Sequence, residues 1–303
     1  MRIAVSGSTG LVGSEVATVL SAAGHGVVRL VRRTPAPGET SALRWDPVKG
    51  EIDAEGLEGL DAVVHLAGEN IASGRWTAAR KAVLRDSRVI GTRLLCEALA
   101  GLARPPKTLV CASAIGIYGD RGEDALTEES PPATGFLPGV CREWEAASGP
   151  AARKGIRVVA LRIGMVLSPK GGALSRMLPL FRAGLGGAIG GGRQYVSWVA
   201  LDDLPLILLH VLRCGDLAGP VNAVAPRPVT NREFTEALGK VLSRPTPLPV
   251  PAFALRLAVG GEMADALLLA SARVFPRRLE ETGYSFRFPE LGAALRHMLA
   301  QKR

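Results

Sequence analysis

Two hydrophobic periods alternate along the chain. Ile3-Ala4-Val5 is a continuous apolar run, and after a glycine-bearing turn Leu11, Val12, Val16, Val19 and Leu20 recur at helical spacing. Gly24-His25-Gly26 breaks that helix, and 27–31 is a second apolar run. Further strands are predicted at 42–45, 61–68, 107–112 and 156–162. Helices are predicted at 77–99, with Thr77 as N-cap, and at 137–154, stopped by Gly155. Continuous rather than alternating apolar strands, separated by helices, predict an α/β fold: a doubly wound parallel sheet of Rossmann type with right-handed crossovers.

Past Gly171 the pattern loosens. A helix at 173–183 runs into 184–192, where six of nine positions are glycine, followed by Arg193-Gln194-Tyr195-Val196-Ser197-Trp198. Such a run is either a flexible connection or a loop that lies close to a ligand. Asp202-Asp203 are read as the cap of a helix to Arg213, 220–224 as a strand and Thr230 as the start of another helix. The Pro-rich link 245–251 precedes a helical tail ending in 291–299. The expected division is 1–245, with 170–200 on the substrate side, and a small, mainly helical C-terminal domain at 246–303.

Composition narrows the function classes. The 303 residues carry a formal charge of +9, but the arginines are dispersed and only 5% of residues are aromatic, so no base-stacking surface is expected and nucleic acid is not a predicted partner. No stretch of about 18 uninterrupted apolar residues occurs, and the chain opens directly on a strand, so neither a membrane span nor a secretion leader is expected and the predicted location is cytoplasmic. Cys96, Cys111, Cys141 and Cys214 are scattered and read as free thiols; His25, His210 and His297 share no ligand-like spacing, so no metal site is predicted. His65, near a strand end, reads as a core or supporting residue. The expected partner is a small-molecule substrate, and a homodimer is a compatible assembly.

The first strand–turn–helix carries the sharpest signal. Gly7-Ser8-Thr9-Gly10-Leu11-Val12-Gly13 spaces its glycines Gly-x-x-Gly-x-x-Gly. One glycine turns the chain sharply, one lets backbone lie against a pyrophosphate, and Gly13 lets the helix pack on the strand. The helix N-terminus then offers free N–H groups to an anion. The other reading is a purely structural turn. At the end of the second strand Arg32-Arg33 stand where an acidic residue would accept from a ribose 2′-hydroxyl; arginine there favours a 2′-phosphate and hence NADP(H), unless both are merely solvated loop cations. Leu66-Ala67-Gly68 and Ser113 end strands where a nicotinamide could lie, with Arg162 closing the next strand.

These motifs, in this order, resemble the extended and atypical branches of the short-chain dehydrogenase/reductase superfamily. The pieces are Gly7…Gly10…Gly13, His65-Leu66-Ala67-Gly68, Ser113…Tyr118-Gly119 and Leu161-Arg162-Ile163-Gly164. More narrowly, Gly74-Arg75-Trp76-Thr77, Asp86-Ser87-Arg88, Tyr118-Gly119-Asp120-Arg121-Gly122, Arg142-Glu143-Trp144-Glu145 and Gly192-Arg193-Gln194 resemble the NAD-dependent epimerase/dehydratase-like "epimerase family" proteins with a C-terminal domain of unknown function. The resemblance implies an oxidoreductase or epimerase-type enzyme of undefined substrate. It also implies a tyrosine and a lysine one helical turn apart. The helix that should carry them reads Leu137-Pro138-Gly139-Val140-Cys141-Arg142-Glu143-Trp144-Glu145, with Leu137 and Cys141 at the two positions. The catalytic candidates left are Ser113 and Tyr118, each otherwise a packing or turn residue. Cys141 lacks a visible base, Glu143 or Glu145 could supply an acid, and Arg193, Gln194 and Trp198 are the candidate substrate wall, Arg193 suiting a phosphate or carboxylate. The other class consistent with intact glycines and a missing Tyr/Lys pair is an inactive NADP-binding regulatory or scaffold protein.

Overall fold

The protein, described by a computed structural model over residues 1–247 and 249–300, is built on one eight-stranded sheet. Its strands are β1 (Arg2–Ser6), β2 (Gly26–Val31), β3 (Ala42–Asp46), β4 (Glu51–Ile52), β5 (Ala62–His65), β6 (Thr108–Ala114), β7 (Arg157–Ile163) and β8 (Gly219–Ala223), in spatial order 8-7-6-5-1-2-3-4. Every pair is parallel except β3–β4. The order reverses at β1, whose neighbours are β2 and β5, and that is where open α/β sheets leave a ligand crevice. The doubly wound sheet expected from the apolar runs is the one observed.

Successive residues of each strand serve opposite faces. Ile3 and Val5 join Val64, Val110 and Leu161 against Val16 and Leu20 of helix α1 (Leu11–Ala22) and the helix Asp203–Arg213. Ala4, Val63 and Leu109 turn the other way, onto Leu95, Cys96 and Leu99 of α2 (Ala78–Gly101). Thr77 Oγ1 accepts from the Arg80 amide and caps α2 as its sequence position predicts. The single helix expected at 137–154 is instead α3 (Phe136–Ala146) and a short piece, Gly149–Arg153. Pro150 has no N–H to continue the ladder, so the break falls there.

The C-terminal segment, expected as a small domain at 246–303, packs against the rest of the chain. Its strand Arg273–Val274 pairs with Ala125–Leu126, and Leu279 joins the sheet-face core. Its last helix, Leu291–Ala300, packs Leu291, Leu295 and Met298 with Leu174, Trp198 and Phe234. Asp203 does not cap its helix through its side chain. Its carboxylate accepts the amides of Arg287 and Phe288 at 2.8 and 3.1 Å, bolting the tail to the start of that helix, while Asp202 meets His297. Among the described residues no helix is long and apolar enough to cross a membrane.

Candidate functional site

The glycine turn lies at the sheet's reversal point, with the backbone of 66–68 against it. Gly7 has φ +66°, and a Cβ built there would lie 2.8 Å from the Leu66 carbonyl carbon; one on Gly13 would lie 2.1 Å from the Gly7 oxygen. Both are closer than real side chains approach, so these positions admit only glycine. Gly10 is the extended residue that opens α1, with no side chain capping the helix. The first-turn N–H groups are thus left to a ligand or solvent. The Ser8 hydroxyl, in a residue only 4% exposed, has no hydrogen-bond partner. A buried orphan hydroxyl beside an uncapped helix end fits a bound anionic group. Thr9 and Gly10 are exposed, and Leu11 and Val12 half-buried.

The floor of this cradle is a buried polar chain. Ser6 Oγ accepts the amides of Leu66 and Ala67 at 3.1 and 3.3 Å and lies 2.7 Å from His65 Nδ1; His65 Nε2 lies 3.1 Å from Thr92 Oγ1, which also accepts from the Trp144 indole. With both Ser6 lone pairs engaged, its hydroxyl donates to Nδ1, which assigns the proton of a neutral His65 to Nε2. Burial pushes the imidazole down to about 4, so it is uncharged at neutral pH. His65 is therefore a supporting residue of the cradle, as its strand position predicts.

Arg32 and Arg33 follow β2 and differ. Arg33 makes a two-pronged ion pair with Glu39, at 2.5 and 2.8 Å. Among the described residues Arg32 has no side-chain partner, and its guanidinium stands exposed at the strand end.

The far end of the sheet edge departs from expectation. Ser113 Oγ donates to Glu145 Oε1 at 2.7 Å, and Arg162 grips the same carboxylate with Nε and Nη2, both at 2.9 Å. Arg162 also donates to the Tyr118 oxygen and to the Glu128 carbonyl; Tyr118 in turn donates to Asn222 Oδ1 at 2.8 Å. Glu128 Oε1 accepts the Asn222 amide. Tyr118 is 0% and Ser113 3% exposed. Burial raises the phenol above its ordinary range, and Glu128 likewise. Although burial works against its charge, Glu145 and Tyr118 hold Arg162 above its ordinary value. In this structure Tyr118, Ser113 and Arg162, the three candidates at this end, are bonded into one side-chain network. Sequence reasoning missed Asn222 and Glu128; the signal for Asn222 was a lone polar residue inside the apolar strand 220–224.

The proposed substrate wall is also dispersed. Trp198 is fully buried and spends its indole N–H on the Arg227 carbonyl, so it is core. Gln194 braces the carbonyls of Ile189 and Leu268, and Arg193 is exposed. The glycine run is thus pinned to the tail. In α3, Leu137 and Cys141 lie beside Gly116 and the Ala114 amide; burial pushes the Cys141 thiol up to about 12, so it is no nucleophile at neutral pH. Glu143 is an exposed partner of Arg85. Among the described residues no group of three or more potential ligands could hold a metal.

With this geometry in place, residues 3–223 match the model of the NAD dependent epimerase/dehydratase family, and residues 250–298 match a domain of unknown function (DUF1731). The chain belongs to the NAD dependent epimerase/dehydratase family. It is 47% identical over 295 residues to epimerase family protein Mb2239 of Mycobacterium bovis, covering 97% of this chain and 96% of that one. Over 306 residues it is 39% identical to human epimerase family protein SDR39U1, covering 99% and 100%. The crystal structure of human SDR39U1 (isoform 2) with NADPH superposes with a TM-score of 0.91 at 36% identity, covering both chains completely. This family member thus has the Rossmann-type short-chain dehydrogenase/reductase fold, with the second motif mapping to the woven-in tail.

Proposed function

We propose that this protein binds NADP(H) in the cradle of Gly7, Ser8, Thr9, Gly10, Leu11, Val12 and Gly13, with Arg32 taking the 2′-phosphate. Leu66, Ala67 and Gly68 would lie along the nicotinamide half. The observation that carries the reading is the unpartnered Ser8 hydroxyl in a glycine turn whose walls exclude any side chain. The NADPH named for the human relative supports it. When bound, the cofactor would supply hydride-transfer chemistry, which makes an oxidoreductase or epimerase-type reaction on a small molecule the best-supported activity. The protein's own residues would bind and orient. The helix Phe136–Ala146 has neither tyrosine nor lysine, which supports reading Leu137 and Cys141 as standing at the two positions.

Removing a charge-assisted bond to phosphate costs about 1.5–3 kcal/mol, or about ten- to a hundredfold in affinity. Arg32→Ala should weaken NADPH by that factor while NADH changes little, read by fluorescence titration of both cofactors. Equal losses for the two would remove the 2′-phosphate assignment. Arg33→Ala should matter less, because Glu39 already holds that side chain.

A second reading has its own observation: the Ser113 and Tyr118 hydroxyls are both spent on side-chain partners. It makes the protein a non-catalytic NADP-binding regulatory or scaffold protein. NADPH oxidation with any member of a carbonyl and nucleotide-sugar panel excludes this reading; tight NADPH binding without turnover across the panel favours it.

A further inference from the structure

The segment that follows Gly68 gathers more positive charge than it can answer. Arg88 of α2 reaches the end of β5, where a Cβ added to Gly68 would lie 3.4 Å from its Cζ. Its guanidinium donates to the carbonyls of Leu84 and Glu69, both at 2.9 Å, and stands 5.1 Å from the Trp144 ring. Two of five N–H donors are used that way, which leaves the others without a protein acceptor among the described residues in a guanidinium that lies against Gly68. Among the described residues Arg88 has no carboxylate partner. The only nearby acid, Glu69, is taken by Arg80 at 3.3 Å, and Arg80 itself keeps a buried Nε with nothing to bond. Arg176 arrives from the helix Gly172–Arg182 and donates to the Ala72 carbonyl, again without an acid.

We propose that Arg88, with Arg80 beside it and Arg176 at the rim, forms an oxyanion-binding end of the site that takes a carboxylate or phosphate group on the substrate next to Gly68. This rests on the NADP(H) reading above, since Gly68 marks the reacting end only if the cofactor lies along 66–68. Two considerations select an anion over a neutral hydroxyl. A guanidinium partly out of water with no counter-charge is costly, and the group that offsets it best is a two-oxygen anion matching its fork. Burial lowers Arg88 from its ordinary value, and Glu69 opposes that shift only in part. The charge is real but poorly compensated. The same placement gives Cys141 a purpose other than reactivity, since a small neutral side chain leaves the Arg88 fork uncovered where a lysine would repel it.

The test uses the full chain saturated with NADPH, so that the glycine turn and Arg32 are occupied, and titrates malonate and inorganic phosphate by calorimetry. Wild-type protein should bind at least one of them saturably. Arg88→Met should weaken that binding by about tenfold or more, the loss expected for one charge-assisted fork. Arg88→Lys should fall between, keeping charge without the fork. NADPH affinity should stay within about threefold in both variants, a change under about 1 kcal/mol. Should Arg88→Met fail to fold, Arg88→Lys and Arg176→Gln carry the comparison, the latter weakening the anion only. No saturable anion binding by wild type, unchanged anion binding in the variants, or an equal loss of NADPH would each overturn the proposal. Failure of the wild-type protein to bind NADPH would instead overturn the cofactor reading on which it rests.

Discussion

The two ends of the sheet's C-terminal edge are built on opposite principles. At the β1–β5 reversal, backbone approaches backbone closely enough to forbid a Cβ, a helix end is uncapped, and a buried hydroxyl is unpaired. At the β6–β7 end, five side chains answer each other in one connected set, Ser113, Glu145, Arg162, Tyr118 and Asn222, with a single buried oxygen of the neighbouring Glu128 left unpaired. Unmet polar groups are expensive unless something arrives to meet them, whereas met groups stabilise what is already there. The first end is therefore organised for a ligand and the second for the fold. On the proposed reading, cofactor binding falls at the first end, and Ser113…Tyr118 at the second holds the fold together.

The strongest way to break that contrast is to open the connected set. Glu145→Ala leaves the Arg162 guanidinium buried without its carboxylate, and the loss of one partner from such a pair costs about 3–5 kcal/mol. Urea denaturation should show that loss. The surviving folded fraction should still bind NADPH with affinity changed by less than about threefold, under about 1 kcal/mol. A variant of normal stability, or one that loses NADPH in proportion, would mean the two ends are not independent.

Acidification probes the floor of the cradle next. His65 is held neutral by burial, its folded value about 4 against an ordinary 6.5. The unfolded chain takes up the proton first, so this contribution to stability is complete above about pH 6.5 and falls as the pH drops toward 4. At about pH 4.5 the loss should reach about 2–3 kcal/mol, and His65→Gln should flatten the curve in that window. A protonated Nδ1 would face a Ser6 oxygen already accepting the Leu66 and Ala67 amides, so NADPH binding should weaken over the same range. A pH profile identical in His65→Gln and wild type would remove His65 from this role.

What the sequence made legible follows from distance along the chain. The sheet, its order-reversing glycine turn and the Thr77 and Thr230 caps are local patterns, and each is where its residues predict. Thr230 even completes a capping box with Glu233. The polar network was not legible, because its members are brought together by parallel register: Ser113 pairs opposite Arg162, and Asn222 opposite Arg162 on the other side. No spacing in the sequence announces that Glu145 meets Ser113 and Arg162. Trp198 misled for a related reason. An aromatic beside a glycine run looks like a ligand wall, yet Trp198 fills the core between Leu174, Phe234 and Leu295.

The smallest perturbation separates the two accounts of Tyr118 most cleanly. In Tyr118→Phe the ring and its packing against Arg162 remain, and only the hydroxyl between Arg162 and Asn222 is lost. Removing one buried hydrogen-bonding group from this set costs about 1–2 kcal/mol, so the unfolding free energy read from urea denaturation should drop by that much. NADPH affinity should hold, and so should any turnover found in the substrate panel. A phenol that gave its proton to substrate would behave in the opposite way, with stability nearly intact and turnover reduced by about a hundredfold or more. The phenol's 0% exposure argues for the first pattern, because a hydroxyl that neither water nor substrate reaches cannot exchange a proton with either.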